Sequence, residues 1–231
     1  MIPLTLLLAP VWPAAREHYA SLTRGVLRAY VRLLPFARLQ VEGADERLRG
    51  ARVLVVNHTS RLDSPVMLAL EPRLAGPVRG YMLRVPIVGS AIRLLGFFDA
   101  DAHVDTVAAM HRAAEQARAR AGGLLFYPEG TRSTTGEIAA FHHGAFRVAY
   151  DHDLPIQPVV IEGLDRAFPP GRAISPALGR QLVRVRYLKP LHPPYGVGTR
   201  RDVVRALSNE VRSALIEQLA QLRMERRAAG D

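Results

Sequence analysis

The chain has no cysteine among its 231 residues. That excludes disulfides, thiolate metal sites and a cysteine nucleophile, and it suits a reducing compartment. Lysine is almost absent, so the 31 basic residues are nearly all arginine. No stretch approaches the roughly 20 consecutive apolar residues that a membrane-spanning helix needs. Residues 1–12 are apolar, but Pro3, Pro10 and the following Pro13 interrupt them. They also lack the basic start and small-residue cleavage site of a signal peptide. The expectation is a segment lying on an apolar surface, with a membrane as one candidate. Acidic residues are outnumbered, 21 against 31, which leaves a net charge of +10. Such a surface favours phosphate-bearing partners: nucleic acid, anionic membrane, or charged cosubstrates such as coenzyme A esters. No aromatic-interleaved basic patch and no nucleic-acid-binding motif accompanies the charge, so no nucleic acid partner is expected.

What is present is a length sufficient for one substantial core and a hydrophobic fraction of 48%, ordinary for a globular protein. Strand-like and helix-like segments alternate along the chain. This predicts an α/β fold with a mostly parallel or mixed sheet of about seven strands, covered by helices. Residues 1–35 form an apolar, amphipathic helical segment ahead of a domain over 36–231. Leu22, Val26, Tyr30 and Leu33 recur at helical spacing, with Arg24, Arg28 and Arg32 as a basic stripe. That pattern fits an amphipathic helix on a membrane surface, or a helix packing its apolar face on the core. Strands are expected at 38–41, 53–56, 78–83, 124–127, 156–161 and 183–188, with another beginning at Phe97-Phe98. Helices are expected to about Leu70, over 86–95, 102–121 and 144–150, and from the capping-box sequence Thr199-x-x-Asp202 onward. The tail from Arg223 is expected to fray.

The first chemistry-bearing stretch is Asn57-His58-Thr-Ser-Arg-Leu-Asp63, directly after the apolar run Val53–Val56. This places His58 at the carboxyl end of a buried strand, where open α/β sheets hold ligands. Asp63 falls in or near the first turn of the next helix, for which Thr59 and Ser60 are N-cap candidates. A carboxylate on Nδ1 of a histidine fixes the tautomer and leaves Nε2 free to accept a proton from a hydroxyl. In isolation the pair also fits a turn histidine beside a surface aspartate. The second stretch, Tyr127-Pro-Glu129-Gly130-Thr131-Arg132-Ser133, repeats the arrangement of apolar strand and polar turn. Gly130 admits a ligand close to the backbone, Arg132 offers a planar fork, and Thr131 and Ser133 offer hydroxyls. The alternative is a turn in which Glu129 and Arg132 pair with each other.

These two blocks occur in order with Pro86-x-x-Gly89 and Leu154-Pro-Ile-Gln-Pro-Val159. The set resembles the glycerophospholipid acyltransferase family, whose bacterial type member is lysophosphatidate acyltransferase, over about residues 52–160. The resemblance implies that His58 is a general base oriented by Asp63. It also implies that Glu129, Gly130, Thr131, Arg132 and Ser133 hold the acceptor phosphate, with Asn57, Gly89 and Gly96 in support. The implied reaction moves a fatty acyl group from acyl-CoA or acyl carrier protein to a lysophospholipid hydroxyl. Lysophosphatidate is the first acceptor to expect. Another lysolipid, glycerol-3-phosphate, or a non-catalytic lipid-binding role are the alternatives. No cofactor and no metal are implied. The implied setting is the cytoplasmic face of the cell membrane, peripheral or monotopic, on an anionic surface.

The chain also departs from the family pattern. Ala102 stands about where an arginine contacts the acceptor phosphate, within a run made acidic by Asp99, Asp101 and Asp105. Phe141-His142-His143-Gly144 replaces the usual Phe-Lys-x-Gly. Arg84, Arg93 and His103 are candidates to compensate.

Overall fold

The computed structural model describes residues 13–33, 37–71, 73–86, 88–102, 104–168, 181–194, 196 and 198–229. The expectations for residues 1–12 and for His103 lie outside them. A β-branched run with no polar interruption suits a strand covered on both faces. Arg52–Val56 is such a strand, β2, with all five residues buried. Because side chains alternate along a strand, Val53 and Val55 join one core layer while Leu54 and Val56 join the other.

The first layer is closed by three helices: α5 (Val104–Ala119), α6 (Gly144–Asp151) and the long α8 (Arg200–Ala228). Val203, Leu207, Val211, Leu215, Leu219 and Leu222 of α8 are all buried. Thr199 starts α8 as expected, its Oγ1 accepting from the Asp202 N–H and donating to the Asp202 carboxylate. The helix does not fray at Arg223. Arg223 donates to Glu137 and to the Gly136 carbonyl, Arg226 to Glu162, and Glu225 accepts from Arg186. These ties hold the last turns down.

The second layer contains α1 (Pro13–Arg32), α2 (Asp63–Leu70) and α7 (Leu164–Ala167). Helix α1 packs through Tyr19, Leu27 and Val31. The stripe read from the sequence points elsewhere: Leu22, Val26, Tyr30 and Leu33 are 46, 60, 45 and 76% exposed. Arg28 is not a free surface charge, since its Nε donates to the Ala69 carbonyl at the end of α2.

The main sheet has six strands, in the order β1 (Ala37–Glu42), β8 (Gln181–Tyr187), β7 (Ile156–Glu162), β2, β6 (Gly123–Phe126) and β3 (Leu74–Ala75). β7, β2, β6 and β3 run parallel, and β8 and β1 run the other way, joined by the antiparallel β7–β8 pair. A separate two-stranded parallel sheet pairs β4 (Pro77–Val78) with β5 (Phe98–Asp99). The fold class is therefore as expected, with eight strands divided six and two among the described residues in place of about seven. The strand expected at 78–83 stops at Val78 and becomes α3 (Gly80–Arg84). Asp101 accepts from the Gly80 N–H at the start of that helix. Helix α4 (Val88–Leu95) follows it.

Candidate active site

β2 and β6 are neighbours, parallel, with Val55 opposite Phe126. Their carboxyl ends therefore release the two polar stretches side by side. Asn57 locks the other flank: its Nδ2 donates to the Ile161 carbonyl and its Oδ1 accepts from the Ile161 N–H, at 2.9 and 2.8 Å. This fully buried amide continues the β2–β7 ladder by one side-chain step, so Asn57 is a brace for the turn that carries His58.

His58 Nδ1 lies 2.7 Å from Asp63 Oδ2. The same oxygen accepts from the backbone N–H groups of Thr59 and Ser60, both at 2.8 Å. Leu62, not Thr59 or Ser60, is the N-cap of α2, although Ser60 Oγ accepts from the Leu62 N–H at 3.3 Å. The carboxylate of the first helical residue folds back onto the N–H groups of Thr59 and Ser60. Asp63 is fully buried, and its Oδ1 has no partner among the described residues. Burial pushes its carboxyl above the ordinary range, while the His58 contact and the two N–H groups pull it part of the way down. The His58 side chain is 20% exposed, so one edge of the ring remains open to solvent.

The second stretch is fastened to the first by two bonds. The Ser133 N–H donates to the His58 carbonyl at 2.7 Å, and the His58 N–H donates to Glu129 Oε1 at 2.8 Å. Glu129 Oε2 accepts from the Ala139 N–H at 3.1 Å. Glu129, expected to help hold an acceptor phosphate, has both oxygens engaged with backbone. It joins the two loops, and it does not pair with Arg132. Burial raises its carboxyl above the usual range, offset in part by those two N–H groups. Gly130 has φ +71°, a conformation glycine takes without strain, and a Cβ there would stand 3.0 Å from the His142 ring. Thr131 is exposed. Arg132 is half-buried and makes no hydrogen bond or ion pair with any described residue.

Gly89 packs so closely that a Cβ would come within 2.1 Å of the Leu83 carbonyl oxygen, and Gly96 closes α4 at positive φ. The acidic run is taken up by local structure: Asp101 binds the Arg79 guanidinium and the Gly80 N–H, and Asp99 accepts from the Asp101 N–H. Arg79 also donates to the Gly130 carbonyl at 2.9 Å. Arg93 donates to the Leu83 carbonyl and Arg84 is exposed. No group of three metal-ligating side chains is present among the described residues. A groove of about 750 Å³ between residues 187–194 and α8 shares no residue with the His58 junction. The junction is identified by its chemistry and not by the size of a cavity.

One residue at the junction was not singled out from the sequence. Tyr127 stacks on the His58 ring, centroids 4.2 Å apart and planes inclined by 22°. Its hydroxyl is buried with no partner at hydrogen-bonding geometry, although Ser64 stands near it. The only sequence signal was its place as the first residue after β6.

Three comparisons bear on these residues. The family described as Acyltransferase matches residues 38–162. The chain is 30% identical over 201 residues to the chloroplastic 1-acyl-sn-glycerol-3-phosphate acyltransferase LPAT1 of Arabidopsis thaliana, covering 84% of this chain and 52% of that protein. It is 24% identical over 213 residues to the 1-acyl-sn-glycerol-3-phosphate acyltransferase of Saccharomyces cerevisiae, covering 90% and 68%. The chain spans about half the length of the chloroplast relatives it matches. The fold is similar to the crystal structure of PlsC, the 1-acyl-sn-glycerophosphate acyltransferase of Thermotoga maritima. The TM-score is 0.75 at 21% identity, over 95% of this chain and 88% of that one.

Proposed function

Because the chain belongs to the Acyltransferase family, we propose that it moves a fatty acyl group from acyl-CoA or acyl carrier protein to the hydroxyl of a lysophospholipid, lysophosphatidate first among them. The observation that carries this reading is the 2.7 Å contact between His58 Nδ1 and a buried carboxylate, at the strand end where Arg132 also emerges. With Nδ1–H held by Asp63, Nε2 is the basic nitrogen. It takes the acceptor's hydroxyl proton as the oxygen attacks the thioester carbonyl. The tetrahedral adduct collapses with cleavage of the C–S bond, and the leaving thiolate receives the proton from His58. The products are the ester and the free thiol. Asp63 stabilises the imidazolium that exists between the two transfers. Without cysteine, and without a serine in a nucleophile elbow, direct transfer is the simpler route than an acyl-enzyme.

Arg132 holds the acceptor's phosphate, with Thr131 and Ser133 as neighbouring hydroxyl donors. Glycerol-3-phosphate would present the same phosphate. A lysolipid with a less anionic head is favoured as a second acceptor class by one observation. The stretch 99–102 contributes two carboxylates, with Ala102 where a cation would strengthen phosphate binding, and Arg79 is already paired. The exposed stripe of α1, together with the net charge of +10, supports peripheral docking on the anionic, cytoplasmic face of a membrane.

The test is turnover by the full chain with radiolabelled acyl-CoA or acyl carrier protein and a panel of lysolipids. His58→Ala is expected to lower kcat by roughly 10²–10⁴-fold, the usual contribution of a general base. Turnover retained in that variant would remove His58 from the chemistry.

A further inference from the structure

We propose that Tyr127 is the positioning residue of the base: its ring face fixes the plane of the His58 imidazole and favours the imidazolium formed during transfer. The inference rests on the reading of His58 as general base. The covalent link through Cβ and the Nδ1 hydrogen bond to Asp63 set the ring's orientation, and a stacked neighbour narrows the remaining χ1 and χ2 excursions that would swing Nε2 off its aim. The contact that does so is the stacked Tyr127 ring, with centroids 4.2 Å apart and planes 22° from parallel. Tyr127 is itself well placed to be rigid. It leaves β6 directly after Phe126, which is in register with Val55 of β2, and Pro128 follows it. The Gly130 N–H also donates back to the Tyr127 carbonyl at 3.0 Å.

The face of an aromatic ring carries negative potential, so a ring that gains positive charge against it is stabilised. Among the described residues, three groups face the imidazole from the elements around it. Asp63 binds Nδ1 from the start of α2, Glu129 accepts the His58 backbone N–H from the 127–133 loop, and Tyr127 covers one face. The two carboxylates sit at the edge and the backbone. Tyr127 alone of the three touches the ring's face. Its hydroxyl is buried beside Ser64 without a hydrogen bond of good geometry among the described residues, and the part of Tyr127 in contact with His58 is the aromatic face.

The experiment compares Tyr127→Phe, Tyr127→Leu and Tyr127→Met with the unaltered protein, using full pH profiles for lysolipid acylation. Phe retains the face and is expected to keep kcat within about twofold. Leu and Met keep the site dry without a π face, and two such variants guard against one folding poorly, with thermal unfolding as the control. Both are expected to lose roughly 10- to 100-fold in kcat, the order seen when a reacting group is misaimed, with KM for donor and acceptor little moved. Their acid limb, where activity rises as the base loses its proton, should move toward lower pH, because the imidazolium has lost its stacking partner. A fall in Tyr127→Phe as large as in Tyr127→Leu would overturn the inference, as would an unmoved kcat and acid limb in folded Leu and Met variants. A change confined to KM would overturn it equally. His58→Ala is run alongside. If it retains turnover, the base assignment itself fails, whereas its loss beside normal Leu and Met variants rejects Tyr127 alone.

Discussion

At the scale of single residues, the site separates groups whose polar atoms are spent on backbone from groups left without a partner among the described residues. Asn57 and Glu129 sit within the two diagnostic stretches, yet both spend their polar atoms on backbone, Asn57 across to Ile161 and Glu129 to His58 and Ala139. Arg132 is the opposite case, with no ion pair among the described residues. An arginine fork is worth most when it meets a phosphate bidentately. Arg132→Ala is therefore expected to raise KM for a phosphate-bearing acceptor roughly 10-fold or more, while KM for the acyl donor moves little. Initial-rate kinetics with each substrate varied in turn measure the split. An unchanged acceptor KM would take the phosphate away from Arg132. Sequence reasoning identified the dyad because the five-residue step from His58 to Asp63 is local. That Glu129 binds the His58 and Ala139 amides was not legible, because nothing in a sequence says which backbone amides lie within reach of a carboxylate.

At the scale of elements, the packing of α5 against α6 contains a second histidine pair, remote in sequence from the dyad. His111 Nδ1 and His152 Nε2 are 2.7 Å apart, so a single proton lies between the two rings. Partial burial and the neighbouring His111 hold His152 below the ordinary histidine range, with Arg118 acting the same way and Glu115 and Asp151 opposing. Asp151 is itself paired with Arg200 at the start of α8. The folded chain therefore takes up a proton here less readily than the unfolded chain. The associated stability is fully present above the unfolded histidine pKa of about 6.5 and is lost as pH falls toward the lower folded value. Tm is expected to drop between pH 7.5 and 5.5, and His152→Gln should show a shallower drop. Equal slopes for the two proteins would locate the pH sensitivity elsewhere.

At the scale of the whole molecule, the apolar stripe of α1 lies on the outside of a protein whose net charge is +10. Leu22, Val26 and Tyr30 are each close to half exposed or more, although their helix is anchored through Tyr19, Leu27 and Val31. No helix among the described residues is long and apolar enough to span a bilayer. Under the peripheral docking proposed above, this stripe is the contact face. Val26→Asp combined with Leu22→Asp should reduce co-sedimentation with anionic vesicles several-fold, and rising salt should weaken binding by the unaltered chain. Undiminished sedimentation of the double variant would assign membrane contact to another face.

The sequence by itself determined the α/β class, the buried strands, the long amphipathic α8 and the His58–Asp63 dyad. Each of these rests on periodicity or on contacts within a few residues, which local pattern reports directly. Only the tertiary structure decided which strands are neighbours. The β2–β6 register brings Tyr127 onto His58 and Glu129 under its backbone, contacts across 69 and 71 residues of chain that no spacing rule encodes. It also settled which face of α1 is inside. Both faces of that helix are apolar enough to bury, and the choice fell to the side that meets α2 and leaves Arg28 in reach of the Ala69 carbonyl.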